Sequence, residues 1–158
     1  MAERVVIILG SGSDEEFAKQ IWSTLEKHKV QYSKRVISAH KRPKDLLELL
    51  KDDEKSGDSV VYITVAGRSN ALSGVVDCNT KSAVIACPPY SDKFGGIDVY
   101  SSLRMPGGVI PLVILEPENA ALAAIKILAY GNKALQGRVA EFQKTMVDKN
   151  KGDDEKIK

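Results

Sequence analysis

The sequence of 158 residues has few of the residues that mark several classes of protein. Its two cysteines, Cys78 and Cys87, are too few for a disulfide framework and lack the neighbours of a zinc site, so we expect reduced thiols. No apolar run approaches the roughly 18 residues that span a bilayer. The first residues are more typical of a strand than of a signal peptide. These absences predict a cytoplasmic protein with no membrane partner.

An excess of charge of one sign is also missing. Lys and Arg number 23 and Asp and Glu number 21, so the net charge of +2 is too small to indicate a nucleic-acid partner. Apolar residues make up 43% and charged residues 28%, which is typical of soluble globular proteins and not of disordered or fibrous ones. The length suits one domain. We expect it at residues 1–148, followed by a charged tail at 149–158 that is more typical of a frayed terminus than of a binding arm.

Strand and helix patterns alternate along the chain. Repeated alternation with short connections predicts an α/β fold, a three-layer αβα sandwich around an open parallel sheet of about five strands. In such sheets ligands bind beyond the carboxyl ends of the strands, so the loops that follow the first three strands are the candidate site. Strands are predicted at residues 5–9, 31–37, 60–65, 83–87 and 112–115, and helices from Asp14, at 43–55, at 71–76 and around 100–103.

The segment at residues 120–129 is apolar on nearly every side of a helix. A surface helix of a monomer could not bury such a segment, so the pattern favours a subunit interface in a homo-oligomer. The alternative is a central helix that the chain itself covers unusually well.

The first candidate loop, residues 10–14, combines glycines with small hydroxyl residues between a strand and a helix. It leaves backbone N–H groups free to bind a phosphate, although Ser13 or Asp14 could simply cap the helix. Glu15 occupies the third glycine position of a dinucleotide fingerprint, and no Walker lysine is present, so a mononucleotide fits better than NAD or ATP. Asp14 could bind ribose hydroxyls.

Two further loops carry side chains suited to chemistry. His40 ends the second strand, where an imidazole that exchanges protons near neutral pH is useful, and Lys41 adds positive charge beside it. Arg68 offers a guanidinium to an anion in the loop at residues 66–70, although Ser69 or Asn70 could instead start the next helix. His28, near the end of an amphipathic helix, is interpreted as a surface residue. Cys87 is interpreted as a buried structural thiol.

Together these motifs resemble the aminoimidazole ribonucleotide carboxylase family of purine biosynthesis. The resemblance extends over residues 5–129 and implies a flavodoxin-like subunit with strand order 2-1-3-4-5, assembled as an octamer with active sites at subunit boundaries. The motifs are Gly-Ser-x-Ser-Asp at 10–14, Ser-Ala-His at 38–40, Ala-Gly at 66–67, Met-Pro-Gly-Gly at 105–108 and Glu-Pro-x-Asn-Ala-Ala at 116–121.

The third loop distinguishes two branches of that family. Mutases, which move a carboxyl group from N5 to C4 of the imidazole, carry a second histidine there, whereas this chain has Arg68, Ser69 and Asn70. The loop resembles the animal-type branch, which adds CO2 directly to the ring of aminoimidazole ribonucleotide (AIR). We therefore expect an AIR carboxylase, a carboxy-lyase that needs no ATP, biotin or metal. The alternatives are the mutase and a non-catalytic nucleotide-binding module.

The resemblance and the chemistry together suggest roles for individual residues. His40 is the expected base that removes the C4 proton, and Lys41 serves either the phosphate or CO2. Ser69 and Asn70, with backbone N–H groups near Gly67, are candidates to hold CO2 and the new carboxylate, and Arg68 is an additional or a structural cation. The expected substrate-binding residues are Gly10, Ser11, Ser13, Asp14, Ser38, Ala39, Ala66, Gly67, Arg68, Ser69, Asn70 and Met105.

Overall fold

The computed structural model describes residues 2–157, so Met1 of the predicted domain and Lys158 of the predicted tail lie outside the described residues. Five parallel strands form one sheet in the order β2-β1-β3-β4-β5, which confirms the predicted fold and strand order. The strands are β1 Glu3–Leu9, β2 Gln31–Val36, β3 Ser59–Val65, β4 Val84–Ala86 and β5 Leu112–Val113. The helices are α1 Glu15–Lys27, α2 Pro43–Ser56, α3 Ala71–Asp77, α4 Tyr100–Leu103, α5 Pro117–Ala129 and α6 Lys133–Ile157.

The central strand β1 is buried on both faces, because side chains alternate across a strand and both layers of helices cover it. Val5 and Ile7 pack with α1, α5 and α6, whereas Val6 and Ile8 pack with α2 and α3. In contrast, β2 is an edge strand and is largely exposed. The two cores thus hold β1 and β3 in register, and the carboxyl ends of these strands lie side by side.

The turn that ends α2 shows how local sequence sets the element boundaries. Pro43 lies in the first turn, where its missing N–H costs no helical hydrogen bond. Gly57 follows the last turn with φ of 72°, a left-handed conformation that glycine adopts without strain. The chain then enters β3 at Ser59.

The apolar helix α5 is largely covered within the chain. It packs between α1 and α6 and against β1, β3 and β4. This is the alternative that the sequence pattern left open, so the helix no longer argues for an oligomer. Its buried residues include Ala120, Ala121, Ala124, Ile125, Leu128 and Ala129.

The charged tail differs from the expected frayed terminus. Helix α6 continues without interruption to Ile157. Nearly all of its residues after 148 are exposed, and Lys–Asp pairs such as Lys156 with Asp153 stabilise a solvated helix. No helix within residues 2–157 combines the length and the apolarity that crossing a membrane requires.

Candidate active site

A cleft of about 480 Å³ opens at the carboxyl edge of the sheet. The loops after β1, β2 and β3 form three of its walls, as the strand order predicts, because parallel strands end at a common edge. The predicted residues that line it are Gly10, Ser11, Ser13, Asp14, Ser38, Ala39, His40, Lys41, Ala66, Gly67, Arg68 and Ser69.

The first loop passes directly over the end of β3. A Cβ atom on Gly10 would lie 3.1 Å from the Ala66 Cβ, which explains the need for glycine at this close approach. The Gly10 N–H donates to the Val65 carbonyl at 2.8 Å, so the two loops are tied together. As a result, the hydroxyl groups that follow Gly10 face the same cleft as the third loop.

Ser11 caps the helical turn within the first loop, a role that the sequence did not indicate. The Ser11 hydroxyl accepts from the Ser13 N–H at 3.3 Å and from the Ser13 hydroxyl at 2.9 Å. Asp14 occupies the N-cap position of α1 but makes no side-chain capping bond, so the alternative that Ser13 or Asp14 serves only as a side-chain cap is not supported. The loop therefore presents hydroxyl groups at the beginning of a helical segment, where an anion is favoured.

Asp14 is half-buried, and its carboxyl group faces the cleft. Burial raises the pKa of this carboxyl above its ordinary value, because the charged form loses water. Hydrogen bonds from the Ser11 backbone and the Ser13 side chain oppose this shift, and the positive charge of Arg68 does so to a lesser extent. A hydroxyl-bearing ligand that donates to Asp14 would replace the lost water.

The second loop projects His40 and Lys41 from the end of the edge strand. The Ser38 hydroxyl accepts from the Lys41 N–H at 3.4 Å, and the Ser38 carbonyl accepts from the Arg42 N–H at 2.8 Å, so the loop is a formed turn. Both His40 and Lys41 are exposed. Within residues 2–157 neither side chain makes a hydrogen bond or an ion pair, which leaves both free to act on a ligand.

The third loop contradicts one predicted role. Asn70 is only 4% exposed, and its side-chain oxygen accepts from the Ser73 N–H at 3.2 Å at the start of α3. Its amide nitrogen donates to the Ser102 hydroxyl at 2.9 Å. Since both ends of the amide are used inside the protein, Asn70 is a helix cap and not a candidate to hold CO2.

Met105 is a second predicted site residue that lies elsewhere. Its sulfur packs against α3, 3.3 Å from where a Cβ on Gly74 would stand, and it is not among the residues lining the cleft. The Met-Pro-Gly-Gly stretch therefore places Met105 over a helix and not in the cleft. A flexible thioether commonly fills such a gap beside glycine.

The connection after β4 forms a fourth wall that the sequence analysis missed. Its position after a parallel strand was the available signal, because the fourth strand ends at the same sheet edge as the other three. The cleft residues from this connection are Pro89, Tyr90, Ser91, Lys93 and Asp98.

His28 and Cys87 lie away from the cleft. His28 is 6% exposed, and its ring contacts the edge of Phe142 with centroids 5.1 Å apart, so its prediction as a surface residue is wrong. It borders an apolar cavity of about 300 Å³ between α5 and α6. Cys87 is buried as predicted, and burial together with the charge of Glu116 raises the pKa of its thiol to about 12. Neither residue lines the cleft.

Comparisons with known proteins agree with this geometry. A family model described as AIR carboxylase matches residues 4–149. The chain is 53% identical over 140 residues to the phosphoribosylaminoimidazole carboxylase of Archaeoglobus fulgidus, covering 89% of this chain and 77% of that protein. It is 45% identical over 158 residues to the protein of the same name from Treponema denticola, covering 100% and 99%.

Solved structures and animal proteins extend the comparison. The crystal structure of Treponema denticola PurE has a TM-score of 0.96 and 45% identity, with 99% of both chains covered. The human bifunctional phosphoribosylaminoimidazole carboxylase/phosphoribosylaminoimidazole succinocarboxamide synthetase is 39% identical over 129 residues, which is 82% of this chain and 30% of that protein.

Proposed function

This chain belongs to the AIR carboxylase family, and on that premise we propose that it adds CO2 reversibly to C4 of the imidazole ring of AIR. The product is 4-carboxy-AIR, an intermediate of purine biosynthesis. The observation that carries the proposal is the position of His40 and Lys41, which line the same cleft as the neighbouring, hydroxyl-rich first loop. A phosphate held by that loop would leave the base of the nucleotide near the imidazole.

The reaction needs few protein groups, because the aminoimidazole ring is already a nucleophile. Its C4 atom forms a bond to the carbon of CO2, and one C–O bonding pair moves to oxygen to give the carboxylate. C4 then carries both the carboxylate and its hydrogen. His40 takes this proton, and the electron pair of the C–H bond returns to the ring and restores its aromaticity. In the reverse direction the same imidazole donates the proton. Because the ring is already reactive, most of the catalysis consists of positioning the ring and CO2.

The first two loops bind the nucleotide in this proposal. Ser11, Ser13 and Ser38 direct hydroxyl groups or backbone N–H groups to the phosphate, where the start of a helical segment favours an anion. Asp14 accepts hydrogen bonds from ribose hydroxyls, which compensates the burial of its carboxylate.

The third loop holds CO2 and the growing carboxylate. Ser69 and the backbone N–H groups near Gly67 are candidates for this role, and Arg68 adds positive charge to the same wall. Lys41, on the second loop, serves either this carboxylate or the phosphate. Asn70 no longer belongs to this set, since its amide caps α3. Stabilising negative charge as it develops on the carboxylate lowers the barrier more than binding neutral CO2.

The mutase reaction is the nearer alternative, and the position of His28 disfavours it. The chain contains two histidines, and α1 carries His28 to the amino edge of the sheet, opposite to the cleft. The cleft therefore has one imidazole within reach, His40. Together with the Arg68-Ser69-Asn70 sequence, this supports the direct use of CO2.

A two-substrate assay tests the function. Purified protein is given AIR with bicarbonate as the source of CO2, and separately the N5-carboxylated compound, while product absorbance is followed. We expect turnover with the first pair and formation of AIR and CO2 from 4-carboxy-AIR in reverse. Turnover of only the N5-carboxylated compound would identify a mutase, and turnover of neither would identify a non-catalytic nucleotide-binding module.

We also propose a cytoplasmic homo-oligomer, an octamer by resemblance to the family. The segment after β4 supports an interface, because its large apolar side chains stay exposed in the single chain and one of them, Tyr90, lines the cleft. Sedimentation of the purified protein measures the assembly directly, and a monomeric mass would contradict it. The exposed residues are Tyr90, Phe94, Ile97, Tyr100, Leu103 and Ile110.

A further inference from the structure

Arg68 has an unusual backbone conformation for a residue with a long side chain. Its φ is 56°, in the left-handed region that favours glycine, and Lys29 is the other such non-glycine residue within residues 2–157. Arg68 also lines the cleft. A strained residue at a functional site persists only where its surroundings hold it in place.

Two side chains from a distant segment hold this conformation. The Arg68 N–H donates to the Asp98 carboxylate at 3.1 Å. The Ser101 hydroxyl lies 2.7 Å from the Arg68 carbonyl and 2.8 Å from the Asp98 carbonyl, so its one proton is shared between these two acceptors. The Ser101 oxygen in turn accepts from the Asn70 N–H at 3.0 Å. Asp98 lies in the 3-10 turn Ile97–Val99 and Ser101 lies in α4. We call Asp98 and Ser101 the clamp.

The clamp lies beside the third loop, and Asp98 itself lines the cleft next to Arg68. A Cβ on Gly67 would stand 3.8 Å from the Asp98 carboxylate, so little space separates the two segments. Because both polar groups of the Arg68 backbone are engaged, rotation about its φ or ψ would break at least one of these bonds. The clamp therefore determines where the Gly67 backbone and the Ser69 side chain point.

We propose that Asp98 and Ser101 are positioning residues for carboxylation, which hold Arg68 left-handed so that Gly67 and Ser69 face the carboxylate formed at C4. The inference rests on the proposed function. Asp98 acts through a backbone N–H and exchanges no proton with the substrate. This distinguishes it from His40, which touches the reacting atom in the proposed mechanism.

Four variants test the clamp. Asp98→Ala removes the acceptor, whereas Asp98→Asn keeps an oxygen that can accept from the Arg68 N–H but loses the charge. Ser101→Ala removes the second contact from a different element. Asp92→Ala is the matched control, because Asp92 is an exposed carboxylate on the same connection and does not line the cleft.

We expect Asp98→Ala to lower kcat about 10- to 100-fold, the usual range for losing a hydrogen bond to a charged group. The KM for AIR should change little, because the phosphate and ribose sites lie on other loops. Asp98→Asn should recover most of the activity, the pH profile should keep its shape, and Asp92→Ala should match the wild type. Hydrogen exchange of residues 67–70 should accelerate in Asp98→Ala and Ser101→Ala.

Several outcomes would overturn the clamp. Equal loss in Asp98→Asn and Asp98→Ala, or a changed pH profile, would mean that the carboxylate itself takes part in the chemistry. Wild-type turnover in Asp98→Ala, or unchanged exchange at 67–70, would remove the positioning role. If Asp98→Ala does not fold, Ser101→Ala decides by the same two measurements. Failure of the wild type to carboxylate AIR would refute the proposed function alone. Hydrogen exchange of residues 67–70, compared between the variants and the wild type, would still show whether the clamp holds the loop.

Discussion

At the amino edge of the sheet the charged side chains pair with one another, whereas at the carboxyl edge they face the cleft. Arg4 donates to Asp53 at 2.7 Å and to Asp58 at 3.0 Å. The Tyr62 hydroxyl donates to Asp53 at 2.9 Å, and Asp58 accepts from the Ala2 N–H at the same distance. Each polar group in this network has a hydrogen-bond partner within the network, so the main effect of the network is to join α2 to β1 and β3.

The carboxyl edge is built in the opposite way. Within the described residues 2–157, the side chains of His40, Lys41, Arg68 and Ser69 make no hydrogen bond or ion pair with the protein. Their backbones, in contrast, are held by Ser38 and by the clamp. Fixed backbones with free side chains are what a binding site requires, because the ligand supplies the missing partners. The difference between the edges therefore separates groups that stabilise the fold from groups kept for a ligand.

The largest effect is expected from removing the proton-transfer group at the carboxyl edge. His40→Asn should lower carboxylation by about 10²- to 10⁴-fold, the usual contribution of such a group, because an amide cannot take the C4 proton. Since the His40 side chain is exposed and makes no hydrogen bond or ion pair with residues 2–157, thermal stability, AIR binding and sedimentation should stay as in the wild type. Near-normal turnover would remove His40 from the mechanism.

The reverse pattern is expected at the amino edge. Asp53→Ala removes one hydrogen-bond partner of the Tyr62 hydroxyl and the partner on one side of Arg4, so we expect a loss of about 1–3 kcal/mol in the free energy of unfolding. Thermal denaturation should show this as a fall in Tm of about 2–4 °C per kcal/mol. The kcat should not change. Asp52→Ala is the control, because Asp52 pairs with Lys55 on the exposed face of the same helix and its loss should shift Tm little.

A smaller effect is expected from His28, which gives the amino edge its pH dependence. Burial lowers the pKa of this imidazole below its ordinary value of 6.5, and the charges of Lys27 and Arg138 lower it further, while Glu118 opposes them. The stability from a neutral His28 is therefore present above pH 6.5 and is lost as the pH falls through the folded pKa.

Substitution of His28 isolates that contribution. His28→Gln is neutral at every pH, so its free energy of unfolding should fall less steeply than that of the wild type below pH 6.5. The difference between the two curves should change by under about 1 kcal/mol across the acid range. Denaturant unfolding at a series of pH values measures it, and parallel curves would show that His28 does not titrate with folding.

The smallest effect on stability is expected from Asp14, at the carboxyl edge. Burial raises the pKa of its carboxyl above 3.8, because the protonated form is easier to bury than the charged form. The stability that the protonated carboxyl contributes is fully present below pH 3.8 and is lost as the pH rises through the folded pKa. At neutral pH the ionised group therefore costs stability. Asp14→Asn should raise the free energy of unfolding by no more than about 0.5 kcal/mol, seen as a slightly higher Tm. The same substitution should weaken AIR binding. A lower Tm together with unchanged affinity would contradict a ribose-binding role.

Most elements of the fold could be predicted because their causes are local. The β-branched run in β1, the Phe17-Ile21-Leu25 stripe in α1 and the proline that opens α2 each indicate one element within a few residues. The burial of His28 could not be predicted, because α6 covers it from more than 100 residues further along the chain. The cover of α5 within the chain likewise depends on α1 and α6.

The sequence by itself determined which loops meet, because alternating strands and helices produce a parallel sheet whose strands end at one edge. That rule placed His40, Lys41 and Arg68 at a common cleft. Only the tertiary structure decided which side chains face the ligand. Asn70 turns inward to Ser102, and the Arg68 backbone is held by Asp98, each through contacts across about thirty residues. Such contacts depend on packed distances, and no local pattern records them.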